Sequence, residues 1–173
     1  YSTIKGFTIQ SLASDPYTST TAAGTWASGG NINTARYEGK GAGLSTAGLI
    51  FGGSVPALST VSESYDGTSW TTTNPMLVAK QVGAGIGTST AALAAGGYGP
   101  GRTGSTEKWD GTSWSEVADL GTARYSMGGA GISTAGLGFG GYGPGVRAET
   151  ESYNGSTWTE VGNLNTARYV LSG

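Results

Sequence analysis

The chain has 173 residues and contains neither cysteine nor histidine, which excludes disulfides, thiolate nucleophiles, Cys/His zinc sites and catalysis by an imidazole base. Only 12% of its residues are charged and the formal net charge is −2, so it lacks the basic surface typical of a nucleic-acid-binding protein. No segment approaches the ~20 apolar residues of a membrane-spanning helix, and the first residues do not resemble a signal peptide, so we expect no membrane insertion.

A tryptophan recurs along the chain with a period of 44 residues, at Trp26, Trp70, Trp114 and Trp158. A double glycine, an aromatic residue before the tryptophan and a basic residue after it keep the same period. They are Gly52-Gly53, Gly96-Gly97 and Gly140-Gly141; Tyr65, Trp109 and Tyr153; and Arg36, Lys80, Arg124 and Arg168. A fixed period of this length indicates an ordered chain built from copies of one supersecondary unit, because disordered glycine-rich segments lack periodic large apolar residues.

Within one copy, residues 33–72, the predicted elements are strands and turns. A first strand opens at 34–37 and ends among glycines, and a mostly apolar second strand covers 46–51. A third strand covers 61–65, and a fourth starts near 69–70 and ends before the Asn-Pro pair that follows. Between them, Asp66-Gly67 tolerates positive φ and predicts a tight hairpin turn. No segment has a sustained helical period, so we expect essentially no helix.

Four short strands per repeat, separated by glycine-containing turns, predict an all-β β-propeller with blades of four antiparallel strands. Full repeats are expected at 31–74, 75–118 and 119–162 of a single domain, 1–173. Four repeats of 44 residues fit this length, so we expect four blades, with 1–30 and 163–173 sharing the fourth.

In that arrangement the C-terminal segment 165–171 is a first strand and pairs with 4–9, because Phe7 stands 44 residues before Phe51. Such pairing hides both sheet edges. A truncated copy of a longer ring and a ring completed by another subunit stay open as alternatives.

The double glycine, the aromatic residue followed by tryptophan and the basic residue beyond it resemble the kelch repeat. The stretch from Trp114 to Arg124 is especially similar to the fourth strand and return loop of that family, although the turn between Tyr65 and Trp70 is shorter than in most kelch repeats. The short segments 165–169, 133–137 and 4–10 resemble segments of repeat-rich proteins of tailed phages, especially marine ones. The first resemblance implies a kelch-like propeller, and the second implies a virion protein.

The repeated residues have structural explanations. The double glycine ends a strand where a side chain has no room or where φ is positive, and a tryptophan such as Trp70 can wedge between sheets. Glu63 and Tyr65 share one face of their strand because they are two residues apart. The repeated glutamate and the repeated basic residue could alternatively form a ring of charge that lines a channel. A motif present in each copy is what a scaffold requires, so we expect these pairs to link strands or adjacent blades.

Departures from the repeat are better candidates for function. The loop after the double glycine carries Tyr98 and Arg102 in one copy and Tyr142 and Arg147 in the next. These loops emerge on the same face of a propeller, and tyrosine and arginine are common in binding hot spots. We therefore predict a binding site at these four residues. The alternative is that Gly-Pro-Gly merely makes a stiff turn on which the tyrosines pack.

The sequence predicts a protein that is not an enzyme and uses no metal or cofactor. Asp66 and Asp110 lie in the repeated turns, and no carboxylate stands out from the repeat pattern. Some propellers with kelch-like blades are copper radical oxidases, but that activity requires histidine ligands and a cysteine cross-linked to tyrosine.

Two classes of function remain at this stage. The first is a non-enzymatic structural or binding module of a virion, such as a phage tail or surface appendage that contacts a host, located on the virion or outside the cell. Its expected partners are other virion proteins and a host-surface protein or glycan, and homo-oligomer formation stays open. The second is a glycan-binding lectin or glycan-directed enzyme on a propeller scaffold.

Overall fold

The computed structural model describes residues 28–171. In that range the protein consists of three four-stranded antiparallel sheets and one short two-stranded hairpin, without a helix. The prediction of an all-β protein is confirmed for this part of the chain. No helix there could span a membrane. The predicted strand 4–9 and the first repeated tryptophan, Trp26, lie outside the described residues.

Each sheet takes its strands from one continuous stretch of chain. The strands are β1 (Lys40–Leu44), β2 (Ala47–Phe51), β3 (Ser54–Val55), β4 (Ala57–Leu58), β5 (Ser62–Tyr65), β6 (Trp70–Thr73), β7 (Gln81–Thr88), β8 (Ala91–Tyr98), β9 (Arg102–Trp109), β10 (Trp114–Val117), β11 (Gly128–Ile132), β12 (Ala135–Phe139), β13 (Thr150–Tyr153) and β14 (Trp158–Val161). Sheet 1 has the order β1-β2-β5-β6, and the short strands β3 and β4 pair with each other. Sheet 2 contains β7 to β10 and sheet 3 contains β11 to β14, and in both of them each strand pairs with the next strand along the chain. A tryptophan therefore begins the fourth strand of every sheet.

The predicted hairpin turn joins the third and fourth strands. Asp66 Oδ1 accepts hydrogen bonds from the backbone amides of Thr68 and Ser69, both at 2.8 Å, and Gly67 has a φ of 96°. Asp110 and Asn154 hold the equivalent turns of the other sheets in the same way. These backbone hydrogen bonds lower the pKa of both aspartates from its ordinary value.

The first strand of each sheet begins later than the sequence predicts. β1 begins at Lys40, and 34–37 contributes only an isolated bridge. The reason is that this linker segment is tied to the third strand, because two of its backbone amides donate to Glu63. The segment 165–171 is the equivalent linker and forms no strand. Its prediction as a first strand is wrong, and the proposed partner strand 4–9 lies beyond the described range.

A buried ion pair ties each linker to the third strand of its own sheet. In sheet 3, Arg124 Nη2 lies 2.9 Å from Glu151 Oε1, and both side chains are buried. The equivalent pairs of sheets 1 and 2 are Arg36 with Glu63 and Lys80 with Glu107. Each glutamate also accepts two linker amides. The prediction that these repeated charges link parts of the scaffold is confirmed.

Sheet 2 packs between sheets 1 and 3 and uses both of its faces. On β8, Ala94 belongs to the apolar cluster shared with sheet 1, whereas Leu93 belongs to the cluster shared with sheet 3, as alternation along a strand requires. Trp114 lies edge-on to Phe51 of sheet 1, with ring centroids 4.9 Å apart. The predicted tryptophan wedge between sheets is confirmed at this interface.

The first strands of the three sheets converge, with β7 between β1 and β11. Glycine permits this approach, because a methyl group on Gly85 would lie 2.5 Å from the carbonyl oxygen of Gly41. At the next interface, a methyl group on Gly129 would lie 3.1 Å from the carbonyl oxygen of Gly85. A cavity of about 590 Å³ lies between these strands and extends to Trp70 of sheet 1.

Candidate functional site

Two equivalent loops follow the double glycines of sheets 2 and 3. They are 98–102 and 142–147, and each begins with Tyr-Gly-Pro-Gly. In the first loop, Gly99 N donates to Gly101 O over 2.8 Å, and the second loop contains the same bond at the same length. The proline fixes φ between the two glycines, so both loops are tight and stiff. Tyr98 is the last residue of β8, and Tyr142 follows β12 and forms isolated bridges with Tyr125 and Val146.

Four tyrosines, which we call the tyrosine row, lie side by side across these loops and the linkers next to them. The tyrosine row consists of Tyr98, Tyr125, Tyr142 and Tyr169. Neighbouring ring centroids are 5.3, 5.6 and 5.6 Å apart, and the rings meet edge-on or tilted. These separations fall in the range of about 4.5–7 Å at which aromatic pairs attract each other. Tyr125 and Tyr142 are further fixed by two mutual backbone hydrogen bonds, of 3.0 and 2.8 Å.

The tyrosine row leaves aromatic surface and polar groups accessible. Tyr98 is 41% exposed and Tyr169 is 51% exposed, whereas the two middle rings are half-buried. Elsewhere in the described chain, Tyr153 donates its hydroxyl to the carbonyl oxygen of Gly155. The hydroxyls of the tyrosine row make no hydrogen bond within residues 28–171, so they are able to bond to a ligand.

The tyrosine row is specific to sheets 2 and 3. In sheet 1, Ser54 and Gln81 occupy the positions equivalent to Tyr98 and Tyr125, and Gln81 Nε2 donates to Ser54 Oγ over 3.2 Å. Tyr37, one repeat before Gln81, is 58% exposed and stands outside the row. The backbone of the repeat therefore accepts either a polar pair or an aromatic pair at these positions.

The two predicted arginines meet at Gly143. Arg102 Nη1 donates to the carbonyl oxygen of Gly143 over 2.7 Å, which ties the loop of sheet 2 to the loop of sheet 3. Arg147 also packs against this glycine, since a methyl group there would be 2.9 Å from the Nε of Arg147. Arg147 Nη1 also lies 2.9 Å from Glu149 Oε1. All four predicted residues are thus brought together, with the tyrosines presenting surface and the arginines fixing the loops.

Sequence reasoning missed two members of the tyrosine row, Tyr125 and Tyr169. Both come directly after the repeated basic residue, at Arg124 and Arg168. The signal was present in the sequence as a tyrosine recurring at this position in three of the four copies. The role of this recurring tyrosine could not be predicted, because it depends on the linker passing beside the loop, which is a tertiary contact.

The chemical groups of this site are aromatic rings and polar side chains. The site combines aromatic faces, phenol hydroxyls and the exposed part of Arg102, and its nearby carboxylate, Glu149, is held by Arg147. In the part of the chain that the structure describes, no three His, Cys, Asp or Glu side chains are grouped so that they could hold a metal ion. Stacking and hydrogen bonding are what this arrangement can provide.

No protein-family model matches this sequence, and no curated protein matches it significantly. The resemblances to kelch repeats and to tailed-phage proteins therefore stay predictions.

Proposed function

We propose that the three sheets are blades of a kelch-like β-propeller. Three features support this architecture. The four strands of each sheet are paired in chain order, and the first strands β1, β7 and β11 converge on one space. In addition, the middle sheet, sheet 2, buries both of its faces against its neighbours. A two-layer sandwich packs one face of each sheet and leaves the other to solvent. Radial packing accounts for the buried second face of sheet 2.

The propeller acts as a non-enzymatic recognition module of a virion, as a tail or surface appendage, with the tyrosine row contacting the partner. The observation that carries this proposal is the row itself, because it departs from the repeat and its hydroxyls make no hydrogen bond to any residue between 28 and 171. Tyrosine offers a large contact area at a low cost in side-chain entropy, which is why it is common in binding surfaces. The short segments that resemble tailed-phage proteins support the proposal that the protein belongs to a virion.

The partner is a protein or glycan on a host surface, and other virion proteins hold the module in place. A lectin is the second candidate, and the exposed rings of Tyr98 and Tyr169 favour it because sugars stack on accessible aromatic faces. Both candidates use the same surface, so the two differ in the ligand and not in the site.

A binding experiment tests the site. The protein is applied to a glycan array and to immobilised bacterial surface proteins, together with the variants Tyr98→Ala and Tyr169→Ala and the control Tyr37→Ala. Loss of a hot-spot side chain costs about 2 kcal/mol or more, which corresponds to a binding constant weakened by about thirtyfold. The control removes a tyrosine that is at least as exposed but stands outside the row, and it should leave binding unchanged.

Equal binding by all three variants and the native protein would refute the assignment of the tyrosine row. Release of reducing ends from a bound glycan would instead support the glycan-directed enzyme. Antibody labelling of purified phage particles tests the virion context, and particles that carry no label contradict it.

A further inference from the structure

A small cavity lies beside the tyrosine row, where the segments that lead into β1, β7 and β11 come together. Its volume is about 130 Å³, and Tyr125 of the row forms part of its wall. We call it the lysine pocket, and its polar side chains are Glu38, Lys40, Gln81, Tyr125 and Ser126. A second cavity, of about 170 Å³, lies between β1, β7 and β11 and also borders Lys40. Lys40 therefore stands where the two cavities meet.

The two charges of the lysine pocket depart from the repeat. Lys40 is the first residue of β1, and the equivalent positions of sheets 2 and 3 hold Ala84 and Gly128. Glu38 has Val82 as its equivalent in the next repeat. The first strand of a sheet therefore forms without a charged residue at either position. The scaffold does not account for Lys40 and Glu38.

Lys40 also lacks the partners that the scaffold lysine has. Lys80 is buried, donates to the carbonyl oxygen and the hydroxyl of Ser105 over 2.8 and 3.0 Å, and lies 3.6 Å from Glu107 Oε1. The half-buried Lys40 makes no side-chain hydrogen bond or ion pair with any residue between 28 and 171. Burial lowers the pKa of Lys40, and the carboxylate of Glu38 opposes this shift. A partly desolvated ammonium of this kind gains from binding an anion.

We propose that the lysine pocket binds the carboxylate of an acidic sugar, such as a uronic acid, within a glycan held by the tyrosine row. Lys40 donates to the sugar carboxylate. Glu38 accepts sugar hydroxyls, and the hydroxyls of Tyr125 and Ser126 donate or accept. Gln81 donates Nε2 to a serine of sheet 1 and keeps its Oε1 as an acceptor. This inference rests on the proposed function and names the ligand class of that site.

The charge balance of the lysine pocket favours a sugar over an acidic peptide. Among the described residues that line it, Lys40 is the sole cation and Glu38 the sole anion. A uronic acid brings one carboxylate and several hydroxyls, so it matches one ammonium surrounded by acceptors. A run of aspartate and glutamate side chains brings further negative charges toward Glu38, and such like-charge contacts oppose binding.

Comparison of acidic and neutral forms of the same glycan tests the proposal. Oligosaccharides that contain glucuronic, galacturonic or sialic acid are titrated calorimetrically into the full chain, each beside its carboxyl-reduced form. At least one acidic form should bind about tenfold or more tightly than its reduced form, because hydrogen bonds to charged groups are the stronger ones. Lys40→Met should abolish this preference. The control Lys108→Met removes another half-buried lysine, which does not line the pocket, and should keep it.

An unchanged acid preference in Lys40→Met would overturn the proposal, as would the lack of a preference for any acidic form in the native chain. In that second case, binding of a neutral glycan or a surface protein that Tyr98→Ala weakens would leave the proposed function standing. An acid preference that depends on Lys40, in a chain whose affinity Tyr98→Ala does not change, would support the lysine pocket and contradict the tyrosine row.

Two further measurements complete the test. Hexaglutamate is titrated in the same way, and tighter binding of this peptide than of every acidic glycan would overturn the proposal in favour of an acidic protein partner. Circular dichroism checks that Lys40→Met keeps the sheets. If it does not, Lys40→Gln removes the same charge with a polar side chain, and an acid preference that survives in this variant counts against the proposal.

Discussion

Glu151→Gln should destabilise the protein much more than Glu149→Gln, although each removes one carboxylate from an arginine pair. In both pairs the nitrogen and oxygen are 2.9 Å apart. The pair of Arg124 with Glu151 is buried, with side chains 0% and 5% exposed, whereas the pair of Arg147 with Glu149 is 27% and 24% exposed. The two pairs therefore have the same length and differ in burial.

The buried carboxylate also serves backbone groups. Glu151 accepts Arg124 Nη2 at 2.9 Å, the amide of Gly121 at 2.7 Å and the amide of Thr122 at 3.4 Å. Glutamine keeps one acceptor oxygen, and its amide group turns donors toward the guanidinium or toward a linker amide. Breaking a buried pair by removing one partner costs about 3–5 kcal/mol, because the other charge stays buried. An exposed pair contributes only about 0–1 kcal/mol.

Urea unfolding followed by tryptophan fluorescence measures both variants. Urea is preferred to guanidinium chloride because the latter is a salt and screens charge. With an m-value of about 2 kcal/mol/M, Glu151→Gln should lower the midpoint by roughly 2 M. Glu149→Gln should lower it by less than about 0.5 M. Equal shifts would refute the reasoning that burial decides the strength of these pairs.

Three further changes test the scaffold. Lys80→Arg should raise the unfolding midpoint, because arginine fills this position in the neighbouring repeats. Burial lowers the pKa of Lys80, so the stability of the native protein rises with pH between that lowered pKa and the ordinary lysine pKa. The arginine variant should lack this rise when unfolding is measured as a function of pH. Gly85→Ala should destabilise clearly by thermal unfolding, because the methyl group would meet a backbone oxygen at 2.5 Å, whereas Gly101→Ala, with nothing within 4 Å, should not. Asp110→Asn should lower stability slightly at neutral pH, because the charge that the turn amides stabilise is gone, and should lack the loss that occurs as pH falls through the lowered aspartate pKa in an acid titration.

Much of the fold could be predicted, because it depends on residue types that occur in few structural positions. The Asp-Gly turns, the double glycines and the tryptophans that begin β6, β10 and β14 all lie where the repeat predicts. The start of the first strand could not be predicted, because it depends on linker amides that bind Glu63 from 29 and 30 residues away. Local sequence contains no sign of such a contact, and the extended stretch at 34–37 fits a strand equally well.

The candidate site was predicted in part for the same reason. Tyr98 and Tyr142 were found because they interrupt the repeat pattern in equivalent loops. Tyr125 and Tyr169 were missed because their contacts arise where a linker crosses beside the loop, and sequence spacing does not show that crossing. Arg102 and Arg147 were predicted beside the tyrosines, and their bonds to Gly143 and Glu149 indicate that they hold the loops in place.

The comparison between repeats separates what the fold needs from what it tolerates. Ser54 forms a backbone bridge with Tyr37, and Tyr142 forms the equivalent bridge with Tyr125. The bridge is therefore made whether the loop residue is serine or tyrosine, so the fold does not require an aromatic ring there. The buried glutamate, by contrast, is present in all three sheets and binds its linker in each. Because the backbone is satisfied without the rings of the tyrosine row, their presence needs another explanation, and the proposed contact with a partner would supply one.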